Sequence, residues 1–392
     1  MRVLVLCGGT RVFGLEIMAL AVAQGLRSRG HEILAVASGW NDGDYCRRLT
    51  DAEIPYELAF FGKISLSPRP LPFRWTIDAL RHLPGARRDL RRFVQGFRPD
   101  AVIAYNRDSV LQARRVLPSA RTIFHVQDLP ERSLLTAQSY RAIDRSTAAM
   151  IAISNHIAGR LRDMGITASK ISVIHNGVGI ASLAERRIAV SGRPPHIVMV
   201  GQIGDWKGHD DLMEALRLLR ERGLSFRCTI VGLGEESYTN RLKQKSEEYA
   251  IADAITWRGY LTDRDAIYAD ADVVTVPSRF AEPFGLVAAE AGARGIPVIA
   301  TRRGGLPEIV VDGVTGFLID PEAPDQLAER LAVLLKDEYL RDRLGASGRK
   351  RAHEKFSVTR MIDAIELLCT RVAARAGGAA PGYSAGATVH RT

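Results

Sequence analysis

Residues 278–290 read Ser278-Arg279-Phe280-Ala281-Glu282-Pro283-Phe284-Gly285-Leu286-Val287-Ala288-Ala289-Glu290, with two carboxylates eight positions apart. Pro283 pushes the backbone of Glu282 towards extended conformations, so a helix begins only near Gly285, with Leu286, Val287, Ala288 and Ala289 as its first turns. Glu282 therefore belongs to a loop. Glu290 belongs to the helix, about 7 Å along its axis at about 1.5 Å per residue. The two acids bracket a helix N-terminus, whose free N–H groups and positive dipole end bind phosphate. A glycosidase pair needs both carboxyls roughly 5–9 Å apart and facing one glycosidic bond, which suits one loop acid and one helix acid less well. A helix Glu beside a phosphate site accepts hydrogen bonds from ribose hydroxyls, and the loop Glu is left to face a sugar. The bare spacing also fits two solvated acids on a surface helix.

Outward from this stretch, short apolar runs alternate with amphipathic helical stretches, the pattern of parallel sheets covered on both faces. Two blocks appear. Strand candidates in the first are 2–6, 32–37, 100–104, 121–124, 149–153 and 171–174; in the second they are 196–200, 227–231, 254–257, 272–276 and 297–300. Each block opens with a strand that runs into a Gly-containing loop and then a helix, a weak internal duplication. Ser191-Gly192-Arg193-Pro194-Pro195 breaks the composition between them and reads as a linker. After Ser357, a candidate N-cap, Val358, Met361, Ile362, Ile365, Leu368 and Cys369 fit helical spacing. From Gly377 to Thr392 large apolar groups are too few to offset the entropy of ordering, and a flexible tail is expected. The resulting division is 1–190, 191–355, a helix at 356–372 and a tail at 373–392.

The loop 201–208 supplies phosphate chemistry: glycines let the backbone approach an anion, and Lys207 brings a mobile point charge to the start of a helix. In the first block Gly8-Gly9 and Val12-Phe13-Gly14-Leu15-Glu16 share the loop after the first strand, although many turns that bind nothing need glycine for positive φ. His125-Val126-Gln127-Asp128 ends a strand, the place where ligands of open α/β sheets sit, and a strand-end histidine is also commonly structural.

Taken together, these motifs resemble the retaining glycosyltransferases of family 4. Their hallmark is Glu-Pro-Phe-Gly with a second Glu, here Glu282 and Glu290. The resemblance runs from about Arg2 to Arg371 and includes Val200-Gly201-Gln202 with Lys207-Gly208, Val231-Gly232-Leu233-Gly234, Pro277-Ser278, Gly304-Gly305-Leu306-Pro307-Glu308 and Gly313-Val314-Thr315-Gly316-Phe317. It implies the GT-B architecture, two doubly wound Rossmann-like α/β domains facing a central cleft, with a C-terminal helix crossing back to the first domain. It also implies that Glu282 contacts the donor sugar, that Glu290 holds the ribose, and that Lys207 with an Arg grips the diphosphate. This chain has Gln202 where the family has that Arg; Gln202 can hydrogen-bond but carries no charge, so Arg279, Arg302 and Arg303 are candidate substitutes, each equally readable as a surface cation. Phe284, Gly285, Leu286 and Val287 would complete the donor site. The glycine that lets the diphosphate approach from the first domain would be Gly14, with Gly9 as the alternative. A family His-Asp pair directed at sugar or acceptor maps onto His125 and Asp128, with Gln127 in place of the adjacent His. The family needs no metal or other cofactor for catalysis.

Composition is consistent with this reading without selecting it: 392 residues, 46% hydrophobic and 25% charged, are ordinary material for two domains. Cys7, Cys46, Cys228 and Cys369 are too scattered for a metal or redox motif and read as reduced cytosolic thiols. The first apolar run is broken at Gly8-Gly9, too early for a signal peptide, and no stretch approaches about 20 apolar residues. The net charge of +10 is concentrated: Arg69, Arg74, Arg81, Arg87, Arg88, Arg91, Arg92 and Arg98 face only Asp78 and Asp89 in the same segment. Leu90, Phe93, Val94 and Phe97 make one helical face there, preceded by Phe73 and Trp75 just after the proline-rich run 68–72. The segment fits a surface for anionic headgroups, and equally a helix packed on its sheet with solvated arginines. No reading motif for nucleic acid accompanies it. The expectation is a cytoplasmic glycosyltransferase, peripheral on the inner face of the cell membrane, that moves a sugar from a nucleoside-diphosphate sugar to a lipid-linked or saccharide acceptor in cell-surface polysaccharide or glycolipid synthesis. A sugar-nucleotide epimerase or phosphorylase of similar build, or a non-catalytic sugar-nucleotide-binding protein, is the alternative.

Overall fold

The computed structural model describes residues 1–61, 70–179 and 192–378. Pro68, Arg69, Ser191 and the expected tail from Ala379 to Thr392 lie outside the described residues. The chain divides into two compact units. The first comprises Met1–Ala152 and Ala158–Ile174 with the chain from Ile362 onward; the second comprises Ile153–Ile157 and His175–Met361. The change of unit thus comes at His175, ahead of the composition break at 192–195.

In the first unit the strands are β1 (Arg2–Cys7), β2 (Glu32–Ser38), β3 (Tyr56–Ala59), β4 (Ala101–Tyr105), β5 (Thr122–Val126), β6 (Ala149–Ala152) and β7 (Ile171–Val173). They form one parallel sheet in the order β3-β2-β1-β4-β5-β6-β7, with Leu4 opposite Leu34 on one side and Val102 on the other. Val3, Leu4 and Val5 are fully buried, as strands covered on both faces must be. The second unit contributes β8 (His196–Val200), β9 (Arg227–Val231), β10 (Ile255–Trp257), β11 (Val273–Val276), β12 (Val298–Thr301) and β13 (Gly316–Ile319), parallel and ordered β10-β9-β8-β11-β12-β13. Helices His209–Glu221 and Pro324–Lys336 bring Leu212, Leu216, Leu327 and Leu331 into its core.

Two strands escape the apolar-run reading. In β3, Tyr56, Glu57 and Leu58 are exposed and only Ala59 is buried, so this edge strand has no apolar run. β13 follows β12 through a helix of only four residues, Leu306–Ile309, too short to announce a strand-helix-strand unit.

The C-terminal helix Val358–Ala376 begins directly after Ser357, whose hydroxyl accepts from the Arg360 amide, and it buries Met361, Ile362, Ile365 and Cys369. On the first unit, Ile362 packs where a side chain at Gly25 would stand, and Glu366 accepts from Arg29 at 2.6 Å and meets His31 at 2.7 Å.

The arginine-rich segment is the helix Pro70–Phe97. Its apolar face belongs to the core: Ala79, Ala86, Leu90 and Phe93 are buried. Arg87 also turns inward, its Nε donating to the Gln112 carbonyl at 2.8 Å. Arg81, Arg88, Arg91 and Arg92 are exposed. Among the described residues no helix is long and apolar enough to cross a membrane.

Gly208 and Gly223 both adopt left-handed φ, 79° and 71°. A Cβ at Gly208 would run into the Pro277 carbonyl oxygen, whereas Gly223 has nothing within 4 Å. Each Gly→Ala change carries about 1 kcal/mol of backbone strain. Gly208→Ala should therefore lower thermal stability well beyond Gly223→Ala, by a further 1–3 kcal/mol or so for the displaced loop, as read by comparing the two melting curves. Equal melting temperatures would show that the loops do not approach as described.

Candidate functional site

The second sheet reverses its build direction between β8 and β11, so the loops leaving these two strands diverge and open a crevice at their carboxyl ends. Both loops are the ones singled out by motif. After β8 the chain turns at Gly201, whose N–H donates to the Val231 carbonyl at 2.9 Å, passes through a 3-10 turn at Asp205–Lys207, and enters the helix His209–Glu221 from left-handed Gly208. After β11, the amides of Arg279 and Phe280 both donate to the Trp206 carbonyl, at 2.9 and 3.3 Å, which straps one loop to the other.

The strap brings Lys207 and Glu282 together. Lys207 Nζ donates to Glu282 Oε1 at 2.5 Å, and Ser278 Oγ donates to the same oxygen at 2.6 Å. The pair is largely but not wholly covered, with side chains 26% and 14% exposed. Thr301 Oγ1 donates to the Ser278 carbonyl at 2.8 Å, and the Gly305 amide donates to the Glu282 carbonyl at 2.8 Å, so both ends of the Glu282 loop are pinned. A Cβ at Gly304 would strike the Glu282 backbone, which accounts for that glycine, whose φ is 65°. The next helix, Leu286–Ala293, starts from left-handed Gly285 (φ 109°), as the Glu-Pro-Phe-Gly sequence implies. The N–H groups of its first turn have no partner within the helix.

Glu290 lies one turn and more into that helix and is already engaged. Its Oε2 accepts from the Tyr268 hydroxyl at 2.9 Å, and Arg264 Nε stands 3.3 Å from its Oε1. The guanidinium of Arg279 makes a two-pronged contact with Asp211 at 2.9 and 2.7 Å and a third with Asp205, and its pKa rises accordingly, chiefly through the Asp211 bond. Arg279 is therefore committed to the β8 loop and helix and does not stand as the spare cation for Gln202. Arg302 pairs with Asp312 at 3.0 Å, while Arg303 is exposed and donates to the Arg279 carbonyl. Gln202 is exposed on its loop. Phe284 is only 2% exposed and packs against His175 and Phe356, ring centroids 6.0 and 5.6 Å away, so its side chain serves the core rather than a ligand.

Glu308, the last residue of the Gly-Gly-Leu-Pro-Glu motif, caps a helix start within the second unit. It accepts from the amides of Asn155 and His156, both at 2.8 Å, from Asn155 Nδ2 at 2.9 Å, and meets His175 Nε2 at 3.0 Å. Burial alone would push its carboxyl up, but the bonds from His175, Asn155 and His156 outweigh it and hold the pKa at about 2.

In the first unit the corresponding reversal lies between β1 and β4. A cavity of ≈ 320 Å³ opens there, lined by the loops after β1, β4 and β5, with Gly9 and Asp128 among its residues. Side chains at Gly8 and Gly9 would collide with Ser109 Oγ and Glu16 Oε1, so both glycines are explained by close packing inside the fold. Gly14 is the first residue of the helix Gly14–Arg27. His125 is fully buried between Tyr105 OH at 3.1 Å and Gln127 Nε2 at 2.9 Å, and burial lowers its pKa to about 3. It is a neutral interior imidazole and does not line the cavity. Asp128 is raised by burial, with Arg107 opposing and Asp108 reinforcing the shift. Among the described residues no group of three or more His, Cys, Asp or Glu is placed to hold a metal ion.

This geometry can be set against known proteins. The family model for Glycosyltransferase Family 4 matches residues 12–181, and that for Glycosyl transferases group 1 matches 183–351. The chain belongs to the family 4 glycosyltransferases. A Salmonella typhimurium protein bearing the name of a colanic acid biosynthesis glycosyltransferase is 34% identical over 220 residues, 54% of each chain, so the chain spans about half the length of this relative in the match. A GDP-mannose-dependent phosphatidylinositol monomannoside mannosyltransferase of Mycobacterium tuberculosis is 28% identical over 82% of this chain and 85% of its own. In fold, the chain resembles Anabaena HepE, whose structure was solved with UDP and glucose: the TM-score is 0.78 at 21% identity, covering 95% of this chain and 100% of that one. The two parallel α/β units are those of the GT-B fold.

Sequence reasoning missed Tyr268, Arg264 and the Asn155, His156 and His175 set around Glu308. None carries a local signal, since each meets its acid only across the fold. Ser278 was quoted as part of a motif, without its role on Glu282.

Because the Glu308 pKa is depressed, its contribution to stability is full above the ordinary 4.5 and disappears as pH falls towards 2. Glu308→Gln should cost about 2 kcal/mol at pH 7. The gap between parent and variant in chemical denaturation should close between pH 4.5 and 2; a gap independent of pH would contradict the assignment.

Proposed function

We propose that this glycosyltransferase moves a sugar, with retention of anomeric configuration, from a nucleoside-diphosphate sugar to a lipid-linked or saccharide acceptor in cell-surface polysaccharide or glycolipid synthesis. The observation that carries the reading is the contact of Lys207, Glu282 and Ser278 at the point where the second sheet reverses, next to the open first turn of Leu286–Ala293. HepE, of like fold, holds UDP and glucose, and the relatives' names span colanic acid synthesis and mannosyl transfer to a phosphatidylinositol glycolipid.

In this reading Lys207, held by Glu282, shares its charge with the incoming diphosphate while the amides of Leu286 and Val287 point at it and Gln202 donates a neutral hydrogen bond. Charge developing on the departing diphosphate is thus met by donors already in place, which is where electrostatic catalysis gains most. Glu290, oriented by Tyr268 and Arg264, exchanges part of that contact for ribose hydroxyls. Glu282 orients the sugar and favours its oxocarbenium character. The acceptor hydroxyl attacks from the face of the leaving group and passes its proton to a phosphate oxygen. No covalent glycosyl-enzyme and no metal ion enter this reading.

The exposed Arg81, Arg88, Arg91 and Arg92 form the surface that would meet an anionic membrane, beside a cluster of Trp40, Phe60 and His82 whose rings lie 5.0–5.7 Å apart. Each cation near such a surface contributes about 1 kcal/mol, screened by salt. Replacing these four arginines by Gln should release the protein from anionic vesicles in a sedimentation assay; a parent that fails to pellet at low salt removes the membrane from this account.

For the donor, a thermal-shift screen of nucleoside diphosphates and their sugars should find a ligand that stabilises by about 2.7 kcal/mol at 100 times its dissociation constant. Lys207→Ala should abolish that shift and lower turnover by orders of magnitude. Glu290→Ala should weaken nucleotide binding by about 1.5–3 kcal/mol, and Glu282→Ala should act chiefly on turnover. Variants that bind and turn over like the parent would refute the site.

A further inference from the structure

Glu290 meets two of its partners through one short element. Asp263 caps the helix Arg264–Tyr268, its side chain accepting from the amides of Asp265 and Ala266 at 2.9 and 3.1 Å. Residues four apart share a helical face, so Arg264 and Tyr268 both reach Glu290 from one side. They reach it unequally. Tyr268 is 3% exposed and donates to Oε2 at 2.9 Å, whereas Arg264, its side chain 38% exposed, stands 3.3 Å from Oε1.

Tyr268 has little freedom to let go. Arg294 covers its ring, the guanidinium carbon 5.0 Å from the ring centroid, and is itself held by the Glu290 carbonyl at 3.2 Å and by Asp265 at 2.7 Å. Burial first, then the Glu290 charge and the bond to it, raise the phenol well above its ordinary range, so the hydroxyl stays a donor. Turning it away from Glu290 would strand a buried hydroxyl without a partner, which packing does not offset. Arg264, by contrast, can exchange the carboxylate for water. Oε2 is thus the fixed oxygen of Glu290 and Oε1 the exchangeable one. Without the phenol hydroxyl the carboxylate is free to turn both oxygens to Arg264, a pairing that guanidinium groups favour, and away from a ligand.

Resting on the assignment of Glu290 to the ribose proposed above, we infer that Tyr268 is a positioning residue for that contact and, through it, sets a preference for ribose over deoxyribose. It holds Oε2 so that Oε1 is presented in one orientation to the vicinal hydroxyls of the ribose. A nucleotide lacking the 2′-hydroxyl brings that oriented acceptor one donor fewer.

Isothermal titration of the full chain with UDP, GDP and ADP, each beside its 2′-deoxy counterpart, tests this. The tightest ribonucleotide should bind the parent at least about tenfold more tightly than its deoxy form. Tyr268→Phe, which removes only the phenol oxygen, should weaken the ribonucleotide by about tenfold and the deoxynucleotide by less than about threefold, so the preference narrows. On a Glu290→Ala background the same change should have no further effect on either nucleotide. A merely structural tyrosine would weaken both nucleotides alike, and in both backgrounds. The ratio of two affinities read on one preparation does not depend on how much of it is folded. A parent that prefers ribose while Tyr268→Phe keeps that preference in full overturns this inference and leaves the ribose reading of Glu290 standing. A parent that binds none of the ribonucleotides, or binds ribo and deoxy forms alike, overturns both.

Discussion

One carboxylate oxygen, Oε1 of Glu282, receives both the Lys207 ammonium and the Ser278 hydroxyl. This contact closes what the sheet opens. Strands β8 and β11 are neighbours whose following loops must part, because the chain proceeds to opposite edges of the sheet from them. The divergence creates a crevice but does not order its walls. The ion pair, with the Trp206 carbonyl accepting from Arg279 and Phe280, fixes the two loops to each other at the level where a ligand would enter. A charge pair so covered is not chiefly a source of stability, since desolvation offsets most of its attraction. Its value is positional: it holds the Lys207 ammonium at one place, which the proposed reading uses to receive a diphosphate.

The glycines around the pair follow from the same closeness. Gly208 lies against the Pro277 carbonyl, Gly232 against that of Gly201, and Gly304 against Glu282, so that the loops after four strands meet without side chains between them. Gly285 has a different duty, since its left-handed φ turns an extended loop into a helix. In the first unit Gly8 and Gly9 serve Ser109 and Glu16 in like manner, and the resulting pocket carries acids where the second unit carries a lysine. The two units share a strand order around the reversal and differ in what they place there, an acidic pocket in the first and an ion pair in the second.

How much of this is visible in the sequence depends on how local each cause is. The loop position of Glu282, the helix start at Gly285 and the parallel strands all rest on neighbours in the chain: proline, glycine and apolar runs. Boundaries shifted where chemistry did not favour a strand. Asp100 accepts the Arg2 amide instead of joining β4, and Pro297 has no N–H to donate. The engagement of Arg279 by Asp211, sixty-eight residues away, had no local sign, and neither did the grip of Tyr268 on Glu290. The helix Pro70–Phe97 shows the limit of periodicity most plainly. Its apolar stripe was legible, but only the fold shows that Leu90 and Phe93 face the core and that Arg87 is bound to Gln112. His125 was legible as a strand-end residue, while its complete burial depends on Tyr105 from the adjacent strand.

The central claim is that a nucleoside diphosphate is held by the second unit at the reversal between β8 and β11. A crystal structure of the chain with the nucleoside diphosphate that stabilises it most tests this directly. The account predicts phosphate oxygens within hydrogen-bond distance of Lys207 Nζ and of the Leu286 and Val287 amides, with the ribose on Glu290. A nucleotide found instead on the loops after β1 and β4, or one on the second unit that leaves Lys207 and Glu290 untouched, would contradict it.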